Sequence, residues 1–208
     1  MNGDINLDED HSNKKGLMRN FKDLIKNEKL KSGFGKTLKF FKQKNVQTIL
    51  VVVILLLIVF LGVQLRLQTL PNLIDPTTGD YTPLALDPYY FLRISETLIE
   101  NQGTLPEVDM MRYPALNPEW TKEILPQSTV LIYKAIKIIN PNATIRLANV
   151  LNPVIFFALA IIVFFFLSYL LTKNKWSALI STFLLTIAPP FLYRTLTGFS
   201  DHEAIGIF

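Results

Sequence analysis

Long apolar segments alternate with charged and polar regions along the chain. The apolar segments are residues 47–66, 150–172 and 176–197, and none of them contains Asp, Glu or Lys. A helix needs roughly 20 apolar residues to cross the hydrocarbon core of a bilayer. Because a helix pairs its own backbone groups, it can cross lipid without exposing them. The pattern therefore predicts three transmembrane helices, and the predicted fold class is an all-α polytopic membrane protein.

Residues 67–149 lie between the first two predicted spans and are polar and interrupted by prolines, so we expect a long external loop with interfacial helices. Asp87-Pro88 is typical of a helix start, with Asp as the N-cap and Pro at the first helical position. This helix is expected to stop near Gly103. A second helix, residues 126–139, is too short and too charged to span a bilayer and is expected to lie along the membrane interface.

The third predicted span contains Pro189-Pro190, which must break or bend a helix. Residues 198–208 follow it as an external loop and the start of a truncated fourth transmembrane helix, because the chain turns apolar again after Glu203. A membrane protein rarely ends in the first turn of a hydrophobic run. We therefore expect the chain to be a piece of a larger protein.

Lysine and arginine are concentrated on one side of the predicted spans. Residues 1–46 carry 11 Lys and Arg against 6 Asp and Glu, and the turn between the second and third spans carries Lys173 and Lys175. Such residues flank the cytoplasmic ends of membrane helices. The predicted localisation is therefore the cell membrane, with several spans and a cytoplasmic N-terminal tail. The long loop and the segment after the third span are predicted to lie on the external face.

The basic tail, residues 1–46, has two interpretations. Within residues 17–44, apolar side chains share helical faces and lysines occupy the others, so this stretch can lie on an anionic inner leaflet. A solvated tail fits the same composition. The pI near 9.2 follows from this asymmetry, so no nucleic-acid partner is predicted. The absence of cysteine from the sequence excludes disulfides and thiolate metal sites.

Three carboxylates are predicted to meet at the external membrane boundary, those of Asp87, Asp201 and Glu203. Each has a structural alternative, since Asp87 is a suitable helix cap, and the other two can lie in a solvated loop or cap another helix. In an extended segment the side chains at positions i and i+2 point the same way, so Asp201 and Glu203 can converge on one ion. Carboxylates without thiolates favour a hard divalent cation, Mg²⁺ or Mn²⁺. Such an ion can neutralise the phosphate of a lipid-linked substrate.

Two further side chains near the acids are candidates for contact with a lipid phosphate. Arg194 can bind phosphate or orient a carboxylate, and alternatively it extends toward the headgroups as an interfacial cation. His202 points away from the acids in an extended segment, and can be a metal ligand, a donor to phosphate or neither. Separately, Asn142 begins an Asn-X-Thr sequon on the predicted external side and is a candidate glycosylation site.

Two motifs of the chain resemble those of a known enzyme family. The stretch DPYYFLR, residues 87–93, is similar to the first acidic motif of the catalytic subunit of oligosaccharyltransferase. The stretch GFSDHEAIGIF, residues 198–208, is similar to the second acidic motif of that family. Within this family, the two motifs resemble most those of the archaeal dolichyl-phosphooligosaccharide–protein glycosyltransferases. The resemblance extends over residues 87–208 and includes the order of spans, long outer loop, tight basic turn and paired acids.

This resemblance implies a GT-C-type transmembrane domain and an inverting, metal-dependent glycosyltransferase with Mn²⁺ or Mg²⁺ as cofactor. The implied donor is a lipid-linked oligosaccharide on dolichyl phosphate or diphosphate, and the implied acceptor is a protein with Asn-X-Ser/Thr. Position by position, Asp87, Asp201 and Glu203 match the metal ligands of the family, and Asp87 would also hold the acceptor carboxamide. The family's further acceptor-binding Glu and its Trp-Trp-Asp motif do not occur in these residues, so the 208-residue chain alone is expected to be inactive.

Two other interpretations remain open at this point. Another GT-C transferase, of the protein O-mannosyltransferase type, tends to show an acidic pair early in the first outer loop, whereas here a single Asp87 precedes Pro88. A non-enzymatic transporter or scaffold would simply expose its outer acids to water. Transporters place polar groups inside their spans near the midplane, and the predicted spans have almost none. A Trp-Trp-Asp motif further along the protein would decide for the oligosaccharyltransferase.

Overall fold

A computed structural model describes residues 44–109 and 124–207. The predicted basic tail, residues 1–46, lies almost wholly outside these ranges. The described residues form helices and no strand, and the packing discussed below lies within the compact unit Val53–Phe208. The helices are α1 (Lys44–Leu67), α2 (Leu86–Glu100), α3 (Ile124–Ile139), α4 (Ile145–Thr172), α5 (Lys175–Ile187), α6 (Pro189–Arg194) and α7 (His202–Ile207), with a 3₁₀ turn at Leu70–Leu73.

Two segments are long and apolar enough to cross a membrane. They are Asn45–Leu73, which contains most of α1, and Ile145–Thr172, which is α4. They correspond to the first two predicted spans. Helix α4 begins before the predicted boundary because Thr144 caps it, with the hydroxyl of Thr144 accepting a hydrogen bond from the N–H of Leu147.

The third predicted span is interrupted. Helix α5 ends at Ile187 and α6 begins at Pro189, so the break expected at Pro189-Pro190 is present. A proline ring clashes with the preceding helical turn and has no N–H to donate, which explains why one helix does not continue through this point. With 13 and 6 residues, neither helix crosses a bilayer alone, and a transmembrane helix over residues 176–197 stays a prediction.

A close contact at Gly62 brings α1 against α4 and α5. A Cβ at this position would lie 2.4 Å from Cζ of Phe157 and 2.7 Å from Cγ2 of Thr186. Beside it, Phe157 and Phe191 belong to a buried apolar cluster that also contains residues of α4. Small residues at helix contacts are typical of membrane proteins, because close packing there replaces the hydrophobic effect between helices.

Helix α2 begins differently from the prediction. Its N-cap is Ala85, which makes no side-chain cap hydrogen bond, and its first residue is Leu86. Asp87 lies within the first turn with an exposed side chain, so the expected capping role of Asp87 was wrong. The N–H groups of a first turn have no intrahelical partner, so Pro88 fits the third helical position as well as the first. The predicted stop is present, since Gly103 has a φ of +98° just after the helix.

Helix α3 packs between α2 and α4 through one face. Leu125, Pro126 and Thr129 are buried, whereas Leu131 and Ile139 are exposed. A helix with one protein-facing side and exposed apolar residues on another is suited to a membrane interface. Its interfacial position stays a prediction.

Helix α4 buries two amide side chains against its neighbours. Nδ2 of Asn152 donates hydrogen bonds to the hydroxyls of Ser128 and Thr129 in α3, each at 3.0 Å. Nδ2 of Asn149 donates to Oγ of Ser200 at 3.4 Å. Oδ1 of each amide has no hydrogen-bond partner within the described ranges. The second span is therefore more polar inside than its apolar pattern indicated.

Candidate functional site

The segment between α6 and α7 is fastened to three other parts of the chain. The N–H and the hydroxyl of Thr197 donate to the carbonyl of Arg66 near the end of α1, at 3.4 and 2.5 Å. The N–H of Gly198 donates to the carbonyl of Val150 in α4 at 2.8 Å, and its carbonyl accepts from the N–H of Leu84 at 2.9 Å. Helix α1, helix α4 and the strip that precedes α2 therefore fix the approach to the acidic residues.

Two local features make this attachment possible. Gly198 has a φ of +88°, a backbone conformation that favours glycine, and a Cβ there would lie 2.6 Å from Cδ1 of Leu73 and would have to displace that side chain. In α4, Pro153 has no N–H to donate to the carbonyl of Asn149, four residues earlier, so the helical hydrogen-bond pattern is interrupted next to Val150. The carbonyl of Val150 lies in the same stretch and accepts its bond from Gly198.

Asp201, His202 and Glu203 form a compact cluster at the start of α7. One ligand atom of each residue lies within 4.8 Å of those of the other two. Oδ1 of the buried Asp201 accepts a hydrogen bond from the backbone N–H of His202 at 2.7 Å, and Nδ1 of the His202 ring lies 2.7 Å from the same oxygen. The ring of His202 is exposed, so Nε2 stays accessible on its other side. The cluster thus offers two carboxylates and one accessible imidazole nitrogen.

The expectation that His202 points away from the acids was wrong. Helix α7 begins at His202, so the cluster occupies a helical turn, whereas the prediction assumed an extended segment. The ring of His202 also meets the ring of Phe91 in α2, with centroids 6.5 Å apart and planes at 80°. His202 therefore contacts both Asp201 and the helix that carries the first acidic motif.

Glu203 is held by Arg194. Nη1 of Arg194 lies 2.8 Å from Oε1 of Glu203, so among the expectations for Arg194 the structure shows the orientation of a carboxylate. The guanidinium also lies over the ring of Phe199, 5.0 Å from its centroid. Oε2 of Glu203 is buried and has no hydrogen-bond partner among the described residues. An unpaired buried oxygen costs free energy, so Oε2 is suited to an ion or a donor from a substrate.

Asp87 is not part of this cluster. Its carboxylate is exposed, and the N-terminus of α2 has no side-chain cap hydrogen bond. Phe91, which contacts His202, follows Asp87 by four residues and therefore shares its side of α2. The structure thus brings two of the three predicted ligands together and places the third on a helix that borders them. The ligand role of Asp87 stays a prediction.

The donor set of the cluster fits a hard divalent cation. Mg²⁺ binds octahedrally at about 2.0–2.1 Å, so opposite ligands are roughly 4.2 Å apart. The ligand atoms of Asp201, His202 and Glu203 lie within 4.8 Å of one another, a separation close to that spacing. Carboxylate oxygens are the ligands that Mg²⁺ and Mn²⁺ prefer. The partnerless Oε2 of Glu203 supplies one such oxygen without breaking an existing bond.

Asn142, the candidate glycosylation site, lies in the short turn between α3 and α4 and is exposed. The hydroxyl of Thr144 in the same sequon caps α4 and donates to Oδ1 of Asp80 at 2.9 Å. The hydroxyl that a sequon needs is therefore already engaged in the folded chain. Modification of Asn142 stays a prediction.

Sequence reasoning missed the buried residues that hold the segment between α6 and α7. Arg66, Thr195 and Thr197 are fully buried, and Nε of Arg66 donates to Oγ1 of Thr195 at 2.7 Å. A signal was present, because a charged residue near the end of an apolar helix is costly unless it has partners. Its partners Thr195 and Thr186 lie more than a hundred residues away along the chain, so no local pattern could identify them.

Comparisons with known proteins agree with the family resemblance of the sequence. Residues 49–208 match the family model described as "Oligosaccharyl transferase STT3, N-terminal". A "dolichyl-phosphooligosaccharide-protein glycotransferase" of Methanocaldococcus jannaschii is 30% identical over 200 residues, which cover 85% of this chain and 21% of that protein. A protein of the same description from Methanococcus voltae is 26% identical over 210 residues, covering 87% of this chain and 23% of that protein.

A third relative, "dolichyl-phosphooligosaccharide-protein glycotransferase 2" of Archaeoglobus fulgidus, is 30% identical over 157 residues, covering 74% of this chain and 25% of that protein. The chain therefore spans between a fifth and a quarter of the length of these curated relatives. The matched stretch contains most of α1, all of α2 and α4, and the cluster of Asp201, His202 and Glu203.

Proposed function

Since the chain belongs to the family described as oligosaccharyl transferase STT3, N-terminal, we propose that it is the N-terminal part of an archaeal-type enzyme of protein N-glycosylation. This enzyme transfers a glycan from a dolichyl phosphate or diphosphate carrier to the Asn of an Asn-X-Ser/Thr sequon. The observation that carries the proposal is the compact cluster of Asp201, His202 and Glu203 inside the matched residues. The names of the three archaeal relatives support the same reaction.

The proposed architecture is the N-terminal part of a GT-C transmembrane domain. Helices α1 and α4 cross the membrane, α5 and α6 together form a third, broken span, and α7 begins a fourth. Lys173 and Lys175, in the turn between α4 and α5, support a cytoplasmic position for that turn. The acidic cluster then lies at the opposite, external end of the helices. This orientation gives the site access to a lipid-linked donor and to proteins outside the cytoplasm.

The roles proposed for the acids follow from their positions. Asp201 and Glu203 hold a divalent cation, Mn²⁺ or Mg²⁺, and Asp87 completes the ligand set from the neighbouring helix. When bound, the cation neutralises the phosphate oxygens that carry charge as the glycan leaves. Asp87 also accepts a hydrogen bond from the acceptor carboxamide, which orients an otherwise poor nucleophile. The amide nitrogen of the acceptor attacks the anomeric carbon on the face opposite the phosphate. The bond to the phosphate oxygen breaks, and the configuration of the anomeric carbon is inverted.

Arg194 and His202 are proposed to contact the phosphate of the donor. The guanidinium of Arg194 uses Nη1 for Glu203, which leaves other N–H groups of its planar fork for phosphate oxygens. The exposed ring of His202 keeps Nε2 accessible beside Asp201. Each side chain is therefore positioned by a neighbouring acid and retains a nitrogen that can bind a phosphate oxygen.

The test is a transfer assay on the full-length protein with a lipid-linked oligosaccharide, a sequon peptide and Mn²⁺. We expect Asp201→Ala to reduce transfer to background. The variant Glu100→Ala, which changes an exposed acid at the end of α2, is the control and should keep transfer. Full activity of Asp201→Ala would refute the site. Transfer to Ser or Thr of a peptide without the sequon Asn would favour the O-mannosyltransferase type instead.

A further inference from the structure

The guanidinium of Arg66 lies wholly inside the protein, at the end of α1. Its Nε donates to Oγ1 of Thr195 at 2.7 Å, Nη1 to the carbonyl of Gly62 at 3.1 Å, and Nη2 to the carbonyl of Thr186 at 3.3 Å. The guanidinium carbon lies 3.4 Å from the centroid of the Phe157 ring. One side chain thus joins α1, α4, α5 and the residue that follows α6.

Burying the charge of Arg66 costs free energy that holding helices together does not require. Within the described residues its partners are a hydroxyl, two carbonyls and aromatic rings, and no carboxylate neutralises its charge. Burying a charge without a counter-charge costs several kcal/mol by general estimates. A well-packed apolar side chain would hold helices together at lower cost. The five fixed donors of the guanidinium instead define one geometry for everything they contact.

That geometry reaches the acidic cluster through a short, internally bonded segment. Thr195 accepts from the Arg66 side chain, and Thr197 donates both its N–H and its hydroxyl to the Arg66 carbonyl. From there the N–H of Phe199 bonds to the carbonyl of Leu196, and the N–H of Asp201 bonds to the carbonyl of Phe199, each at 3.0 Å. Thr195, Thr197 and Asp201 therefore lie in one short segment that has its own backbone hydrogen bonds.

We propose that Arg66 is a positioning residue for the cation site, acting through Thr195 and Thr197 on Asp201 and Glu203. The inference rests on the proposed function in so far as the site is taken to bind a divalent cation. It extends that function, because it assigns the last turn of α1, more than a hundred residues from the acids, a part in setting cation affinity. Arg66 itself touches neither substrate nor cation.

The side chain of Thr195 permits a sharper test than Arg66, whose removal would leave a large buried cavity. Thr195→Val keeps the shape but removes the hydroxyl that accepts from Arg66. Thr182→Val is a matched control, because Thr182 is equally buried and its hydroxyl also bonds to the carbonyl four residues earlier, but it does not contact Arg66. Thr195→Ser is the conservative variant, because it restores the hydroxyl.

The measurement is Mn²⁺ affinity of the full-length protein, from the loss of the free Mn²⁺ signal in electron paramagnetic resonance, with thermal unfolding recorded for each variant. We expect Thr195→Val to weaken Mn²⁺ binding by about tenfold, the lower end of the effect of removing a group behind a metal ligand. Thr182→Val and Thr195→Ser should bind within about twofold of the wild type.

Three results would overturn the inference. They are unchanged affinity in Thr195→Val, equal losses in Thr195→Val and Thr182→Val, and absence of Mn²⁺ binding by the wild type. The proposed function is judged separately by glycan transfer. A wild type that binds Mn²⁺ but transfers no glycan refutes the transferase proposal, and the positioning role is then still decided by the affinities. A wild type that transfers glycan while Thr195→Val binds Mn²⁺ normally refutes only the role of Arg66.

Discussion

Arg194 binds one oxygen of the Glu203 carboxylate and leaves the other oxygen without a partner among the described residues. Nη1 of Arg194 lies 2.8 Å from Oε1 of Glu203, and Oε2 is buried. The ion pair thus orients the carboxylate and does not saturate it. The same guanidinium retains further N–H groups for an anion. Arg194 therefore has the role of orienting the carboxylate, and Glu203 has the role of supplying an oxygen to a cation. The two roles can be tested independently.

Arg194→Gln is expected to change Mn²⁺ affinity by less than about fivefold, because a partly exposed ion pair contributes only about 0.2–1 kcal/mol. The KM for the lipid-linked donor should rise, since the phosphate loses a cationic partner. Titration with Mn²⁺ and initial rates at varied donor concentration measure the two effects. Arg146→Gln is the control, because Arg146 pairs with Glu96 outside the cluster, and it should leave this KM unchanged. A loss of Mn²⁺ affinity above tenfold in Arg194→Gln would contradict the division of roles.

Glu203→Gln should weaken Mn²⁺ binding by at least about tenfold, because it removes a negative charge and the unpaired oxygen best suited to a cation. The change preserves size, so the unfolding temperature is expected to move by only a few degrees. Glu100→Gln alters an exposed acid at the end of α2 and serves as the control. If both variants bound Mn²⁺ like the wild type, the cluster would not be the cation site.

Gly198→Ala and Gly79→Ala separate backbone strain from steric overlap. Both glycines have positive φ, +88° and +72°, but a Cβ meets Leu73 only at Gly198. Gly79→Ala should therefore cost about 1–2 kcal/mol of unfolding free energy for the left-handed conformation alone. Gly198→Ala should cost a further 1–3 kcal/mol or so for overpacking, and only this variant should also weaken Mn²⁺ binding. Equal losses of stability in denaturant or thermal unfolding would argue against close packing at Gly198.

The parts of the fold that could be predicted from the sequence are governed by local chemistry. Long apolar runs predicted α1 and α4, the proline pair predicted the break between α5 and α6, and Gly103 predicted the end of α2. Each of these effects acts within a few residues, so a single sequence contains it. The start of α2 was misplaced because Pro88 fits any position of a first turn, and the sequence does not distinguish among them.

The site was only partly predictable because its geometry depends on distant contacts. The acids Asp201 and Glu203 stand out as charges after an apolar segment, but the predicted cation site used an extended segment where the structure has a helix that begins at His202. The extended geometry was assumed because it is the simplest way to converge two acids two residues apart. The attachment of Thr195 and Thr197 to Arg66 joins residues about 130 positions apart, which no periodicity in one sequence reports.

Replacement of Asp87 is expected to affect glycan transfer strongly and the stability of the fold only slightly. Its carboxylate is exposed and does not cap α2, so its structural contribution is limited to the helix dipole, about 0.3–1 kcal/mol. We expect Asp87→Asn to abolish glycan transfer by the full-length protein, because the proposed cation ligand and acceptor for the carboxamide is lost. The unfolding temperature should change by no more than a few degrees.

Asp87→Glu distinguishes a positioned carboxylate from a mere negative charge on the same helix. Glutamate keeps the charge and its favourable interaction with the helix N-terminus, but it moves the carboxylate by one methylene. If Asp87 holds both the cation and the acceptor amide, this shift should reduce transfer strongly even while Mn²⁺ still binds, because misplacement by about 1 Å can cost roughly a hundredfold in rate. Near-normal transfer by Asp87→Asn would show that α2 borders the site without serving it.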